Sequence, residues 1–308
     1  MPDPIPPVHR KCGAMEVHHR LLEEYAPFRA AQADLEHRTR ARRSQRTAFR
    51  VASPTPINIP VVVHVVWNTA PENISDAQVQ SQIAALNRDY IASNTDRANT
   101  PPCWNGLVTA ADIQFHLAKT DPKGNATSGI TRTQTTKTSF SQDDSVKSDS
   151  GGGADLWPAS DYLNLWVCSL ADGVLGYAQF PGGPPATDGV VILNTAFGTE
   201  GTAAAPFNFG RTATHEVGHF FNLRHIWGDT EDCSGNDFVD DTPNAQLPNY
   251  NSPTFPHVSC DNGPNGDMFM NYMDYVDDRV MVMFTAGQVV RMQSALDGPR
   301  NSLLSSTA

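Results

Sequence analysis

The chain has 308 residues, of which 39% are hydrophobic and 18% charged, so one large domain or two smaller ones with a sizeable core are possible. Its 22 glycines and 23 prolines favour a loop-rich fold over a helical bundle. A net charge of −11 argues against nucleic acid as a partner. No apolar run approaches the roughly 20 residues that span a bilayer, so we predict no membrane span.

The charge is unevenly distributed along the chain. Residues 1–50 contain ten Lys or Arg and six Asp or Glu, a balance of +4, which leaves −15 for the rest. A solvated helix face followed by an acidic surface would explain this pattern. The alternative is a basic segment that docks on the acidic body and can be removed.

The start of the chain lacks the apolar stretch of a signal peptide, so the protein stays inside the cell or a leader is missing from this sequence. Cysteines occur at five positions: Cys12, Cys103, Cys168, Cys233 and Cys260. In a secreted protein this odd number allows two disulfides and one free thiol.

The predicted elements begin with a helix over residues 14–46, where apolar residues recur at helical spacing. Its end, residues 38–46, is basic and polar, as is typical of a site of proteolytic cleavage. The β-branched segment Ile59–Trp67 predicts a buried strand. A helix capped by Ser75 then extends to about Ile91.

Four more strands are predicted, at Ile113–Leu117, Leu163–Cys168, Leu175–Phe180 and Gly189–Asn194. A helix over Ala213–Leu223 follows, and residues 224–285 then show almost no periodicity. A loop region of that length requires something besides a hydrophobic core to order it. The last helix begins at Thr285, where Gln288 completes a capping box.

The segment from His215 to His225 has the pattern of a zinc site. His215 and His219 are four residues apart, so a helix presents both on one face as ligands of one Zn²⁺. Glu216 can take a proton from water without being a ligand. His225 reaches the same metal only if the chain turns sharply near Asn222, and asparagine tolerates the left-handed conformation.

Three histidine ligands leave a fourth position open, which is the arrangement of a catalytic zinc. A helix that carries histidines by chance is one alternative, but the third histidine at this spacing argues against it. A structural zinc is the other, but it would fill all four positions and would not require Glu216.

Residues 215–225 resemble the extended zinc motif of the metzincin peptidases, which usually have glycine where this chain has Asn222. Metzincins also have a methionine turn beneath the zinc, and Asn271–Tyr275 looks like it, with Met273 in the key position. Such a methionine is by itself more often ordinary core packing. Its place downstream of the zinc motif is what supports the resemblance.

The match narrows to the pappalysin family, especially its small ulilysin-like microbial members, and covers residues 59–297. The motifs that carry it are His225–Asp229, Asp240–Pro243, Met273–Tyr275, Phe284–Met292, Leu163–Cys168 and Leu175–Phe180. The resemblance implies a metzincin-type α/β domain, with a twisted mixed sheet and helices above an irregular C-terminal subdomain, preceded by a helical prosegment.

We predict the prosegment at residues 1–48, here called the N-terminal arm, and two catalytic subdomains at 49–225 and 226–308, the second with the methionine turn. The resemblance implies a zinc endopeptidase that is made as a latent zymogen and acts on protein or peptide substrates. We predict that it is secreted and monomeric. A non-catalytic zinc protein that binds peptides is the alternative. Intact Glu216 and Tyr275 argue against it.

Cys12 lies in the sequence Arg-Lys-Cys-Gly, and its thiolate could fill the open metal position. Zymogens of this and related families use such a cysteine switch, so the resemblance implies that Cys12 binds zinc in the latent form. An ordinary free cysteine is the alternative. Cleavage after the arm would start the mature chain at Arg46 or Arg50.

The aperiodic loop contains further residues to which the resemblance gives a role. It implies a disulfide between Cys233 and Cys260, while the other two cysteines of the body pair or, as we favour, stay free. It also implies a Ca²⁺ site formed by Asp237, the Val239 carbonyl and Thr242, since clustered oxygens suit calcium. A solvated acidic loop is the alternative.

The strand Leu175–Phe180 is expected at the sheet edge above the cleft, where a substrate can add as an antiparallel strand. The backbone positions that would bind it are Gly176, Tyr177 and Ala178. An edge strand without a ligand is the alternative.

Two side chains complete the predicted site. Tyr275 near the zinc can donate a hydrogen bond to the oxyanion. Asp278 matches a position that, in ulilysin-like members, is associated with the pocket for the residue after the scissile bond. An acid there favours Arg or Lys, whereas a solvated surface carboxylate is the alternative.

Overall fold

The computed structural model describes residues 7–45 and 56–308, so the candidate cleavage sites Arg46 and Arg50 and the arm boundary at residue 48 lie outside the described residues. The strands are β1 (Ile57–Trp67), β2 (Ile113–Leu117), β3 (Ile130–Gln134), β4 (Leu163–Cys168), β5 (Gly176–Ala178), β6 (Val190–Leu193), β7 (Tyr250–Asn251) and β8 (Tyr275–Val276). The helices are α1 (Ala14–Glu24), α2 (Ala26–Gln45), α3 (Asp76–Tyr90), α4 (Arg211–Phe220) and α5 (Ala286–Leu296).

The first six strands form one twisted mixed sheet around β1. The first half of β1 pairs with β2 and its second half with β3, while β4 lies on its other side, all in parallel. Every residue of β1 from Ile59 to Val66 is buried. A central parallel strand is covered on both faces, which explains its unbroken apolar sequence. The expected α/β class is confirmed.

The opposite edge of the sheet is β5, the edge strand that the sequence predicted. It pairs antiparallel with β6. The regular strand is shorter than predicted and ends at Ala178. The sequence did not predict β3, whose residues Ile-Thr-Arg-Thr-Gln are half exposed and mostly polar. Because no residue of β3 is fully buried, its sequence does not need the apolar content that marks the other strands.

The predicted N-terminal helix is two helices, α1 and α2, with extended backbone at Tyr25 between them. Pro27 has no N–H to donate to the carbonyl four residues earlier, so α1 cannot continue through it, whereas the first turn of α2 accommodates it. Helix α1 packs against β5 and α2 against α5. The arm residues Val17, Leu21 and Phe28 are part of the main core.

The long segment after α4 is irregular, as predicted, with only the two-residue strands β7 and β8 between α4 and α5. The disulfide between Cys233 and Cys260 is confirmed, and Cys103 and Cys168 are both free thiols. The cap of α3 by Ser75 and the capping box at the start of α5 are also confirmed. Among the described residues, no helix has both the length and the apolarity that crossing a bilayer demands.

Candidate metal centre and active site

Helix α4 and the turn after it bring the three predicted histidines together. His215 and His219 lie one turn apart on α4, which ends at Phe220. Asn222 then adopts a left-handed conformation with φ of 73°, as the sequence predicted for a sharp turn. The chain then reverses its direction and brings His225 next to the two helical histidines. Its Nε2 lies 3.2 Å from Nε2 of His215 and 3.1 Å from Nε2 of His219.

The other ring nitrogen of each histidine is held by an oxygen acceptor. Nδ1 of His215 donates to the Tyr272 carbonyl at 2.7 Å, Nδ1 of His219 to the Leu223 carbonyl at 2.8 Å, and Nδ1 of His225 to the Asp229 carboxylate at 2.5 Å. A carbonyl oxygen only accepts, so the proton of His215 and of His219 is on Nδ1. The Nε2 atoms of His215 and His219 therefore present lone pairs to each other and to Nε2 of His225.

This arrangement fits a bound cation. Burial, and then the neighbouring histidines, hold the pKa of His215 and His219 well below the usual range, so these rings are neutral. Lone pairs of neutral rings that point at one centre repel each other unless a cation lies between them. The Cys12 sulfur belongs to the same cluster, in which all ligand atoms lie within 4.8 Å of one another. Three imidazoles and one sulfur are ligands that zinc accepts.

Cys12 is brought to the centre by backbone pairing between the arm and the edge strand. The N–H of Leu175 donates to the Lys11 carbonyl at 2.8 Å, and the N–H of Gly13 donates to the Gly176 carbonyl at 2.9 Å. The arm therefore lies on the strand where we predicted the substrate. It runs parallel to β5, whereas the predicted substrate direction is antiparallel.

Glu216 and Tyr275 both contact Cys12. The Cys12 thiol donates to the Glu216 carboxylate at 3.3 Å, and its backbone N–H donates to the Tyr275 hydroxyl at 3.2 Å. Burial raises the pKa of Glu216 to about 8. Burial first, and then Glu216, raise the pKa of the Cys12 thiol, and a bound metal would act in the opposite direction because it deprotonates a thiol.

Met273 lies directly beneath α4. A Cβ atom on Gly218 would lie 2.6 Å from the Met273 sulfur, so only glycine permits this approach of the turn to the helix. The preceding carbonyl, that of Tyr272, is the acceptor for His215. The predicted methionine turn thus supports the histidine-bearing helix from below.

Asp278 is completely buried and contacts the arm, so it is not a solvated surface carboxylate. Its Oδ1 accepts from the Arg10 guanidinium at 2.6 Å, while its Oδ2 accepts from the backbone N–H groups of Phe209 and Arg211. The Arg10 guanidinium also donates to the Thr212 hydroxyl at 3.0 Å. Asp278 thus lies at the bottom of a pocket that a basic side chain fills.

The three predicted calcium ligands lie together and are buried. The Thr242 hydroxyl donates to the Asp237 carboxylate at 2.6 Å and lies 3.0 Å from the Val239 carbonyl oxygen. Burial raises the pKa of Asp237 to about 7.

The sequence did not assign roles to three residues of the site. Asp229 orients His225 and follows it by four residues, which is the signal that could have found it. Trp227 stacks on the His225 ring at 4.3 Å between centroids. Arg10 precedes Cys12 by two residues, but its pairing with Asp278 depends on tertiary structure.

The fold and the metal centre define a zinc metallopeptidase of the metzincin type. The family model described as Pregnancy-associated plasma protein-A, Peptidase M43, matches residues 146–297. The chain belongs to this pappalysin family of peptidases and is a metalloendopeptidase.

Known proteins similar to this chain include an extracellular metalloprotease of Pyricularia oryzae, 33% identical, with 92% of this chain and 87% of the relative covered. A second extracellular metalloprotease, from Arthroderma otae, is 31% identical, with 78% of this chain and 77% of the relative covered. Among solved structures, mature mirolysin of Tannerella forsythia with a cleaved peptide is 51% identical over 82% of this chain and 97% of that one, with a TM-score of 0.81. A promirolysin mutant of Tannerella forsythia is 46% identical over 96% of this chain and 97% of that one, with a TM-score of 0.86.

Proposed function

We propose that this protein is a latent zinc endopeptidase that cleaves peptide bonds before Arg or Lys once its N-terminal arm is removed. The observation that carries the proposal is the path of the arm. Its Arg10 side chain fills the Asp278 pocket, and two residues later Cys12 lies at the three histidines. The arm therefore holds a basic side chain next to the reaction centre, as a substrate would.

The proposed mechanism uses residues that already lie around the centre. His215, His219 and His225 would hold the zinc, which when bound supplies a Lewis acid that activates water and polarises a carbonyl. Glu216 takes the proton of the attacking water and passes it to the leaving amine. The Tyr275 hydroxyl donates a hydrogen bond to the oxyanion.

Latency follows from the contacts of Cys12. Its sulfur lies in the ligand cluster and its thiol is hydrogen-bonded to Glu216, while its N–H engages the Tyr275 hydroxyl. The arm also occupies the β5 backbone at Gly176, beside Tyr177 and Ala178, where a substrate strand would pair. Because the arm runs in the reverse direction, its peptide bonds are presented to the centre in the wrong orientation for cleavage.

Specificity for a basic residue rests on Asp278. Its Oδ2 is occupied by two backbone N–H groups, which leaves Oδ1 to bind an incoming cation. A buried carboxylate binds a guanidinium strongly because neither charge is screened by water. A substrate that runs antiparallel to β5, opposite to the arm, would bring the residue after its scissile bond to this pocket.

Peptide hydrolysis with and without a zinc chelator tests the activity, and the Asp278→Asn variant tests the specificity. Asparagine keeps the shape of the pocket and an acceptor for the backbone, but loses the charge. We expect the matured variant to lose about 100-fold in kcat/KM on peptides with Arg after the scissile bond. Cleavage of a peptide with a neutral residue there should change far less. Equal losses on both peptides would argue against the assigned pocket.

We also propose that Asp237, the Val239 carbonyl and Thr242 bind Ca²⁺. A carboxylate buried in this way is unfavourable unless a proton or a cation neutralises it, and the three oxygens already converge. Calcium would order the loop that the disulfide between Cys233 and Cys260 also constrains.

Two further parts of the proposal concern the protein in its environment. The relatives are named extracellular metalloproteases, which supports secretion. We propose that the protein acts as a monomer on protein or peptide substrates, since the cleft and its metal centre are built within one chain. The three-part division at residues 48 and 225 remains our prediction.

A further inference from the structure

A loop from Phe140 to Lys147 borders the cleft beside the metal centre. A Cβ atom on Gly13 would lie 2.6 Å from the Gln142 side chain, so this loop directly covers the arm next to Cys12. At the other end of the loop, the Lys147 ammonium lies 5.0 Å from the ring centroid of Tyr177 in the edge strand. The loop therefore adjoins β5 just beyond the point where Cys12 pairs.

The direction of the arm tells which part of a substrate meets this loop. Along the arm, Arg10 lies at Asp278, Cys12 at the metal centre, and Gly13 and α1 follow. A substrate that adds antiparallel to β5 runs the other way. Its residues before the scissile bond therefore lie where Gly13 and α1 lie now.

Arg20 of α1 binds this loop through both terminal nitrogens of its guanidinium. One terminal nitrogen donates to the Gln142 carbonyl at 2.6 Å, and the other donates to the Asp144 carboxylate. The Asp144 side chain is only 8% exposed with the arm in place. The arm thus places a second arginine on an acidic acceptor, on the opposite side of the metal centre from Arg10.

The acceptor is built into the catalytic domain and does not depend on the arm. The Lys147 ammonium pairs with Oδ1 of Asp144 at 2.8 Å and donates to the Thr187 carbonyl at 2.7 Å. This pairing holds one carboxylate oxygen and leaves Oδ2 facing Arg20. When the arm leaves, Oδ2 and the Gln142 carbonyl become free to accept from another cation.

We propose that the Asp144 carboxylate and the Gln142 carbonyl form a subsite for a basic side chain located before the scissile bond. This inference rests on the proposed peptidase function and extends it to a second specificity determinant. Two acceptors side by side suit the planar fork of Arg better than the single ammonium of Lys. The enzyme should therefore prefer substrates with a basic residue on each side of the cleaved bond.

The distance along α1 from Ala14 to Arg20 indicates which substrate positions before the scissile bond could reach this subsite. The six residues from Ala14 to Arg20 rise about 9 Å along the helix, since each residue of an α-helix advances about 1.5 Å. An extended strand covers the same length in about three residues. The second to fifth residues before the scissile bond are therefore the positions to scan.

The test uses the matured enzyme, obtained from the full chain by self-processing or by trypsin cleavage of the arm. Peptides with a fixed Arg after the scissile bond carry either Arg or citrulline at each scanned position. Citrulline has the shape of Arg but no charge, so it isolates the electrostatic contribution without altering the protein. We expect Arg to raise kcat/KM about tenfold over citrulline at one of these positions.

Variants then assign the effect to the subsite. Asp144→Asn should bring the Arg-to-citrulline ratio close to one while cleavage of the citrulline peptide continues. Asp143→Asn is the matched control, because Asp143 accepts from the Ser145 backbone instead, and it should keep the wild-type ratio. A ratio near one at all positions in the wild type, or a ratio unchanged by Asp144→Asn, would overturn the proposal. Failure of the wild type to cut any peptide would overturn the proposed function as well.

Discussion

The ion pair between Arg10 and Asp278 gives a direct measure of how firmly the arm is held. Arg10 is 2% exposed and Asp278 is fully buried, with 2.6 Å between nitrogen and oxygen. The Arg10→Ala substitution leaves a charged carboxylate beneath the docked arm with two backbone N–H partners. Removing one partner of such a pair costs about 3–5 kcal/mol, and we take the lower end because these N–H groups remain.

This cost falls on the docked state alone, since water reaches Asp278 once the arm leaves. A loss of about 3 kcal/mol lowers the equilibrium constant for docking about 100-fold. The arm of the variant should therefore open far more often, and the active chain should mature faster. The rest of the protein should be unaffected, because no catalytic group is altered.

Two measurements on the full chain check this expectation. In a Glu216→Ala background, which we expect to be inactive, limited proteolysis reports how often the arm opens. In the active background, the rate of maturation reports the consequence. Arg38→Ala is the matched control, since among the described residues Arg38 forms an ion pair with Asp34 of the same helix, at an exposed position. If Arg10→Ala opens and matures within twofold of that control, the pair does not hold the arm and the reasoning fails.

The other predictions concern catalysis, latency, processing and calcium. Glu216→Ala should retain zinc, measured by metal analysis, yet lose several orders of magnitude in peptidase activity; near-normal activity would remove Glu216 from the mechanism. Cys12→Ala should mature faster than the wild type because the metal position is then open, and equal rates would exclude the latch. N-terminal sequencing should place the mature start at Arg46 or Arg50, and the Glu216→Ala chain alone should not mature. Calcium added to the calcium-free protein should raise the melting temperature, and Asp237→Asn should abolish this rise; an identical rise in the variant would refute the site.

Features that depend on local spacing could be predicted from the sequence. His215 and His219 share a face because an α-helix repeats every 3.6 residues, and the turn at Asn222 was expected from the tolerance of asparagine for positive φ. The capping of α3 and α5 follows in the same way from side chains within a few residues of each helix start. The strand β3 was missed because its five residues, three of which are β-branched, are mostly polar and lack the apolar pattern of the other strands.

Contacts between distant segments were decided by the tertiary structure. Arg10 meets Asp278, which lies 268 positions away, only because the arm pairs with β5 and α4 lies beneath that edge. Arg20 reaches Asp144 by the same docking. The resemblance pointed to Asp278 and Cys12 separately, but it did not join either one to Arg10. Sequence spacing encodes which groups share one helix or turn, whereas the packing of whole elements decides which charges meet across the cleft.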